Sequence, residues 1–352
     1  MNIAMQFHLN ASLKNVHTFS IDQTCDTLVE VTTIEELISV YRDPKWSALP
    51  KLILGKGSNM LFTEHFAGLV IVNKLSGIEL TETDSHHLLH VSGGEDWPNL
   101  VEWSVDKGLG GLENLAMIPG CSGSAPIQNI GAYGVELQDV CEYVDILCLD
   151  TYTVKRLSKE ECLFGYRDSI FKHALYDKAI VVAIGLTLPK EWEPCNHYGP
   201  LKSLAADTLS PRTIFDEVCI IRSSKLPDPR VQGNAGSFFK NPVITKDHFD
   251  RLFALYPNIV GYESNDMIKV AAGWLIDQCQ FKGVTEGGAQ VHPNQALVII
   301  NYDKASAVDI LKLAERVRQS VLNKFDIRLE HEVRFMGRDC ETNLDKALES
   351  LA

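Results

Sequence analysis

Pro119-Gly-Cys-Ser-Gly-Ser-Ala-Pro-Ile-Gln-Asn-Ile-Gly-Ala-Tyr-Gly134 sets the architecture to look for. These sixteen residues hold Gly120, Gly123, Gly131 and Gly134 together with Ser122, Ser124, Gln128 and Asn129. Such a segment has too little apolar bulk to form core. It can follow a ligand closely and donate hydrogen bonds without bringing charge, which suits a cofactor charged in its own right. A surface loop packed on itself is the plain alternative. A second stretch of this kind, Gly55-Lys-Gly-Ser-Asn59, follows the strand-like Lys51-Leu-Ile-Leu54. Its glycines expose N–H groups, and Ser58 and Asn59 add donors that suit a pyrophosphate. It is no Walker A loop, because Pro50 and Gly57 stand where that loop needs a glycine and a Ser or Thr. It is no dinucleotide fingerprint either, since no G-x-G-x-x-G opens a helix after a strand. Two glycine-rich, donor-rich loops in one chain favour ligand contact over a pair of turns.

Outward from these loops, short strands and helices alternate without a strict βαβ rhythm. Val29–Thr32, Leu69–Val72, Leu88–Ser92, Val144–Leu149 and Ile180–Leu188 read as strands. Thr33-Ile-Glu-Glu36 has capping-box spacing ahead of a helix, and a further helix is expected from Pro98 to Lys107. Lys190–Pro200 reads as an excursion loop and Leu226-Pro-Asp-Pro-Arg230 as a linker. Helices are expected at 246–255 and 269–281, then a strand at Ala296–Ile300. In a long helix Ala307, Ile310, Leu311, Ala314, Val317 and Val321 share one face. Ile327–Phe335 reads as a last strand, with a poorly ordered acidic tail after Arg338. The mixture predicts the α+β class in several subdomains.

At 352 residues, with 45% hydrophobic and 22% charged residues, the chain has an ordinary globular composition and room for two or three domains. Ala179–Leu188, its longest nearly apolar run, falls far short of the ~20 residues of a membrane span. Met1–His8 lacks the basic start and apolar run of a secretion signal. Nine scattered cysteines without a C-x-x-C pair fit reduced thiols in a cytoplasm. The eleven histidines offer no H-E-x-x-H pair, so no metal is expected. The net charge is −13, yet Arg222, Lys225, Arg230 and Lys240 against Asp228 leave a local +3 between residues 222 and 240. A basic island in an acidic chain points to a small anionic ligand; nucleic acid needs a broad basic face.

That island contains Gly233-Asn-Ala-Gly-Ser-Phe-Phe-Lys-Asn-Pro242, in which Ser237 sits among glycines and Phe238 and Phe239 are expected to wall a flat ring. A glycine turn between two elements is the plain alternative. Phe164-Gly-Tyr-Arg-Asp-Ser169 presents Arg167, for which an ion pair with Asp168 is the bland meaning. In Leu329–Phe335, alternation puts Glu330, Glu332 and Arg334 on one face, and pairing of Glu332 with Arg334 at a solvated strand is the simplest reading of the spacing. No G-x-S-x-G elbow is present, which argues against a serine hydrolase. Trp97, Trp103, Trp192 and Trp274 are expected to be packing residues.

Taken in order, Gly55–Asn59, Pro119–Gly134, Phe164–Ser169, Lys225–Pro229, Gly233–Pro242 and Glu330–Phe335 resemble the UDP-N-acetylenolpyruvoylglucosamine reductase (MurB) family of flavin enzymes, from about His17 to Phe335. The excursion with Tyr198 resembles the longer form of that family, whose tyrosine loop covers the substrate. His331 departs from the pattern, which has proline there. The resemblance implies a two-subdomain FAD-binding unit of the vanillyl-alcohol-oxidase (PCMH) type, residues 1–77 and 78–226 with the returning stretch 327–352. A separate α+β substrate-binding domain would span 227–326.

The resemblance further implies that NADPH reduces non-covalently bound FAD. UDP-N-acetylglucosamine enolpyruvate then enters the same site, receives hydride at C3, and the enolate left at C2 is protonated. Arg167 would be the cation beside the enolate. Glu332, protonated through burial, would hydrogen-bond it, and Ser237 would donate the proton, polarised by Lys240 or a water relay. Gly55, Gly57, Ser58, Asn59, Gly120, Ser122, Gly123, Ser124, Ile127 and Gly131 would contact the cofactor. Arg222 is placed with them, the substrate being the alternative. Tyr198, Lys225, Asn241 and Gln295 would hold the nucleotide sugar. A monomer is expected. The rival readings are an FAD-dependent oxidase of the same fold, which needs neither Ser237 nor the diphosphate contacts, and a nucleotide-binding scaffold, which needs neither Arg167 nor Glu332.

Overall fold

The computed structural model describes residues 5–350; Met1 to Ala4, half of the stretch read for a secretion signal, lie outside the described residues, as do the last two. The chain divides into two compact units. The first comprises the N-terminus to Leu9, Thr27–Lys56 and Leu69–Ser224; the second comprises Asn10–Asp26, Gly57–Gly68 and everything from Lys225.

The first unit is built on a five-stranded antiparallel sheet in the order Thr153–Ser158, Cys141–Cys148, Ala179–Pro189, His86–Ser92, Ile78–Glu82. The apolar run Ala179–Pro189 takes the centre and is buried from Ile180 to Leu186. The polar strands Thr153–Ser158 and Ile78–Glu82 take the edges, where charge discourages pairing with other chains. One core lies between this sheet and the helices Trp97–Asp106 and Pro211–Lys225. Asp96 caps the first helix by accepting from Asn99 N–H at 3.1 Å. The sequence reading passed over the second helix, although Ile214, Phe215, Val218 and Ile221 form its buried stripe; Pro211 and its polar faces masked the periodicity. In a further core Val29, Val31, Leu37, Val40 and Trp46 meet Leu69, Ile71, Leu147, Ile180 and Val182. Lys51–Leu54 pairs in parallel with Leu69–Val72 and runs straight into Gly55.

In the second unit the helix Ala307–Phe325 lays Ala307, Ile310, Leu311, Ala314, Val317 and Val321 into the core, the face its spacing predicts. Ser306 caps it through Asp309 N–H at 3.1 Å. A four-stranded sheet orders Asn234–Ser237, Val298–Asn301, Ala289–Val291 and Thr285–Glu286. A three-stranded sheet holds Val243–Thr245, Met267–Val270 and Gly261–Ser264.

Two expectations are corrected in this unit. The strand expected at 327–335 spans Arg334–Met336, paired in parallel with Met60–Phe62; before it, His331 forms an isolated bridge opposite Phe239, flanked by the bonds of Glu332 N–H to Phe238 O and Lys240 N–H to Glu330 O. The tail after Arg338 is ordered: Glu341–Thr342 pairs with Phe335–Met336, and the helix Leu344–Glu349 buries Leu344 and Ala347. Its acidity is neutralised where Asp345 pairs with Arg318 at 2.5 Å and with Arg328 at 2.8 Å. The element order bears out the α+β class. No helix among the described residues is long and apolar enough to cross a membrane.

Candidate active site

In the first unit, residues Ser122–Gln128 form a short helical turn closed by Asn129 in the left-handed conformation at φ 44°. The side chain of Asn129 is fully used. Its Nδ2 donates to Glu136 Oε2 at 2.8 Å and to Gly165 O at 3.1 Å, and its Oδ1 accepts from Gln138 N–H at 3.0 Å. Ser122 Oγ donates to Ser92 O at 2.5 Å and Ser124 Oγ to Cys121 O at 2.7 Å, so both hydroxyls frame the loop. Gly123 N–H donates to Gly93 O at 2.8 Å, and a Cβ on Gly123 would stand 2.7 Å from that oxygen. A Cβ on Gly55 would stand 2.4 Å from Cys121 Sγ, so only glycine lets the two loops touch here. Ile127 presents its carbonyl to Ser169 Oγ at 2.7 Å.

Gly131–Ala132 pairs with Val135–Glu136 in a hairpin turned by Tyr133 and Gly134, both at positive φ (50° and 88°). Two consecutive positive φ values make a tight primed turn, which lifts Tyr133 to the tip. The Tyr133 hydroxyl meets the Arg222 guanidinium, and Arg222 Nη2 donates to Met117 O at 3.2 Å. Arg167, at φ 55°, donates from Nη2 to Gly131 O at 2.9 Å. Its neighbour Asp168 pairs with His173 at 2.8 Å, which replaces the Arg167–Asp168 ion pair. Tyr198 stands edge-on to Tyr133, ring centroids 6.3 Å apart. Asn114 Nδ2 ties the hairpin tip to the excursion through Tyr133 O at 2.9 Å and Cys195 O at 2.8 Å. Arg167, Arg222, Gly131 and Tyr198 therefore converge on the hairpin tip. Tyr133 and Asn114 are the participants the sequence reading missed; the Tyr133-Gly134 pair behind Gly131 was the available signal.

Burial lowers the pKa of Arg222 most, and the like charge of Arg167 adds to it, while Tyr133 opposes. Arg222 Nε is enclosed with no hydrogen-bond partner among the described residues. Two guanidinium groups this close, one holding an enclosed unused N–H, call for an anion.

The second unit holds Gly57, Ser58, Asn59, Lys225, Ser237, Asn241, Gln295 and Glu332. Gly57 has φ 58°, and a Cβ there would lie 2.5 Å from Val16 O. Asn59 Nδ2 donates to Glu332 O at 3.2 Å, while Arg334 N–H donates to Asn59 O at 3.0 Å. Ser237 ends its strand opposite Val298, directly after Gly236 at φ 71°. Phe238 N–H donates to Leu297 O at 2.7 Å, and Glu332 N–H donates to Phe238 O at 2.8 Å. Main-chain bonds thus tie the stretch after Ser237 to Glu332. Arg334 pairs with Glu341 at 2.6 Å, and Lys240 pairs with Glu330 at 3.4 Å. Phe238 and Phe239 wall no ring. Both are buried in the core, edge-on to each other at 5.1 Å, with Phe335 5.8 Å from Phe238, because that is where their apolar area leaves water. Asn241 Oδ1 accepts from Ala272 N–H at 3.0 Å, and Gln295 lies beside Gly273, so both reach the start of the helix Ala272–Gln278. Lys225 is exposed at the end of its helix.

Residues 228–336 match the model of the UDP-N-acetylenolpyruvoylglucosamine reductase C-terminal domain, and residues 25–158 match an FAD binding domain model. A UDP-N-acetylenolpyruvoylglucosamine reductase of Vibrio parahaemolyticus is 60% identical over 342 residues, covering 97% of this chain and 99% of its own. The chain belongs to the UDP-N-acetylenolpyruvoylglucosamine reductase family. The namesake of Vibrio cholerae is 58% identical over 348 residues, 99% of this chain and 100% of its own. The solved reductase of Thermus caldophilus superposes with a TM-score of 0.66 at 25% identity, covering 94% of this chain and 98% of that one. Both glycine loops lie within the stretch matched by the FAD binding domain model.

Proposed function

We infer that this chain reduces UDP-N-acetylenolpyruvoylglucosamine to UDP-N-acetylmuramate in peptidoglycan synthesis, using FAD and NADPH. The observation that carries the reading is near-full-length identity of 58–60% to reductases of that name, joined to the FAD-binding match. The cation pair around Tyr133, with its unused Arg222 N–H, fits a cofactor and substrate that are both anionic. FAD, when bound, would supply the hydride-transfer chemistry between NADPH and the enolpyruvyl group.

The chain's own residues do the rest. Arg167 holds the substrate carboxylate and offsets charge as it spreads onto the enolate. Glu332 hydrogen-bonds the same group, and Ser237 supplies the proton to C2. Gly55, Gly57, Ser58, Asn59, Gly120, Ser122, Gly123, Ser124, Ile127, Gly131 and Arg222 hold FAD. Tyr198, Lys225, Asn241 and Gln295 hold the nucleotide sugar; the side-chain oxygens of Asn241 and Gln295 lie at the start of the same helix. The division at 1–77, 78–226 and 227–326, with 327–352 returning, belongs to the same reading, as do one site shared by NADPH and substrate, a monomeric state and a cytoplasmic location.

The experiment is optical. The purified protein is expected to be yellow, to bleach with NADPH in the absence of oxygen, and to regain colour when the enolpyruvyl substrate is added. Bleaching by an alcohol or sugar, with no response to the enolpyruvyl compound, would favour an oxidase.

A further inference from the structure

Residues 330–333 carry Glu332 without the support of a continuous strand. Their one bridge, His331 opposite Phe239, uses the N–H groups of the flanking residues: Glu332 N–H donates to Phe238 O at 2.8 Å and Lys240 N–H to Glu330 O at 2.9 Å. The ladder therefore does not use the N–H of His331, which is the geometry that admits a proline at this position. This chain has histidine there, and its side chain is not idle. Nδ1 lies 2.7 Å from Val333 O, so Nδ1 carries the proton and donates across Glu332 to the next carbonyl but one. The ring lies flat on Phe335, centroids 4.2 Å apart and planes 9° apart, and Phe335 is itself fully buried.

We propose that His331 is a positioning residue for Glu332: ring stack and Nδ1 bond clasp the main chain on both sides of the carboxyl-bearing residue, doing by side chain what a proline does by covalent restriction. The inference rests on the reading of Glu332 as a substrate-contacting group. The clasp completes a set of constraints already present. Glu332 N–H is held by Phe238 O, and its carbonyl accepts from Asn59 Nδ2 at 3.2 Å. Phe238 follows Ser237 directly, so the clasp also keeps Glu332 in register with the proposed proton donor. Burial lowers the pKa of His331, which keeps the ring uncharged near neutral pH; Lys240 and Arg318 act in the same direction, while the Val333 carbonyl and Glu341 oppose.

The test separates the two half-reactions by stopped-flow absorbance in His331→Ala, His331→Pro, Glu332→Gln and the double variant His331→Ala/Glu332→Gln. His331→Ala is expected to retain FAD, be reduced by NADPH at the normal rate, and be reoxidised by the enolpyruvyl substrate roughly 10–100-fold more slowly, as expected of a misplaced group. The KM for that substrate should change little. His331→Pro should restore most of the rate, and in the Glu332→Gln background His331→Ala should add little, since both changes remove one function. Nitrogen-15 NMR of labelled histidine should find His331 neutral and protonated on Nδ1. Effects of His331→Ala and Glu332→Gln that multiply, equal slowing of both half-reactions, or a folded His331→Pro as slow as the alanine variant would overturn the proposal. Glu332→Gln with normal reoxidation would sink both readings, whereas a slow Glu332→Gln beside a normal His331→Ala would sink only this one.

Discussion

Ser237 sits where its strand is held from several directions: Asn234 Oδ1 accepts from Gly236 N–H at 2.9 Å, Thr18 Oγ1 donates to Asn234 O at 2.6 Å, and Phe238 N–H bonds Leu297 O. A hydroxyl on so fixed a main chain suits a proton donor that acts once. Ser237→Ala should bind FAD and be bleached by NADPH at near-normal rate, while reoxidation by the enolpyruvyl substrate slows by ~10²–10⁴-fold. Ser237→Cys should recover part of the loss. Equal slowing of both half-reactions would make Ser237 a shaper of the pocket and not the acid. His17 tests a different property of a single residue. It is buried, donates from Nε2 to Ile21 O at 3.1 Å, and burial pushes its pKa from 6.5 down to about 4. The depressed value fixes the sign: stability from the neutral ring is full above pH 6.5 and is lost as pH falls through 4. The loss is on the order of 3 kcal/mol. Thermal unfolding followed over that window should show a steeper fall for the native chain than for His17→Gln; parallel curves would contradict the burial argument.

Two elements misjudged in the sequence make the next tests. The helix Leu344–Glu349 lies in what read as a loose acidic tail, yet Leu344 is buried and Asp345 bridges Arg318 and Arg328. Leu344→Ala should cost ~2–5 kcal/mol, the usual loss for a leucine truncated inside a core. Denaturant unfolding with an unshifted midpoint would mean the helix adds nothing to the second unit. The helix Pro211–Lys225 carries Arg222 among buried neighbours and ends on the exposed Lys225. One element thus offers an enclosed cation and a solvated one. Lys225→Ala should mainly raise KM for the nucleotide sugar, because a phosphate contact acts alike in ground and transition states. A large fall in kcat at unchanged KM would give it a part in the chemistry.

For the whole molecule the expectation is that FAD is held without a covalent bond, since the glycine-rich stretch 119–134 holds Cys121 but no histidine, and Cys121 is buried. Acid precipitation should leave all flavin in the supernatant; colour in the pellet would refute it. Much of this protein was legible from residue order alone. The glycine loops, the central apolar strand Ala179–Pro189 and the stripe of Ala307–Phe325 announce themselves because local spacing and composition determine turn, strand and helix. Motif order is what singles out Arg167, Ser237 and Glu332 as the residues to test. What the sequence could not decide depends on contacts between residues far apart in the chain. Phe238 and Phe239 have the makeup of a stacking platform and became core, because the partner that buries Phe238 is Phe335, nearly a hundred positions away. The acidic tail reads as solvated until Arg318 and Arg328 face Asp345. Residues 10–26 and 57–68 belong with the unit that begins at Lys225, an assignment no local pattern encodes. Periodicity records the demands of one element on its own side chains; which surface then covers those side chains is settled only by tertiary packing.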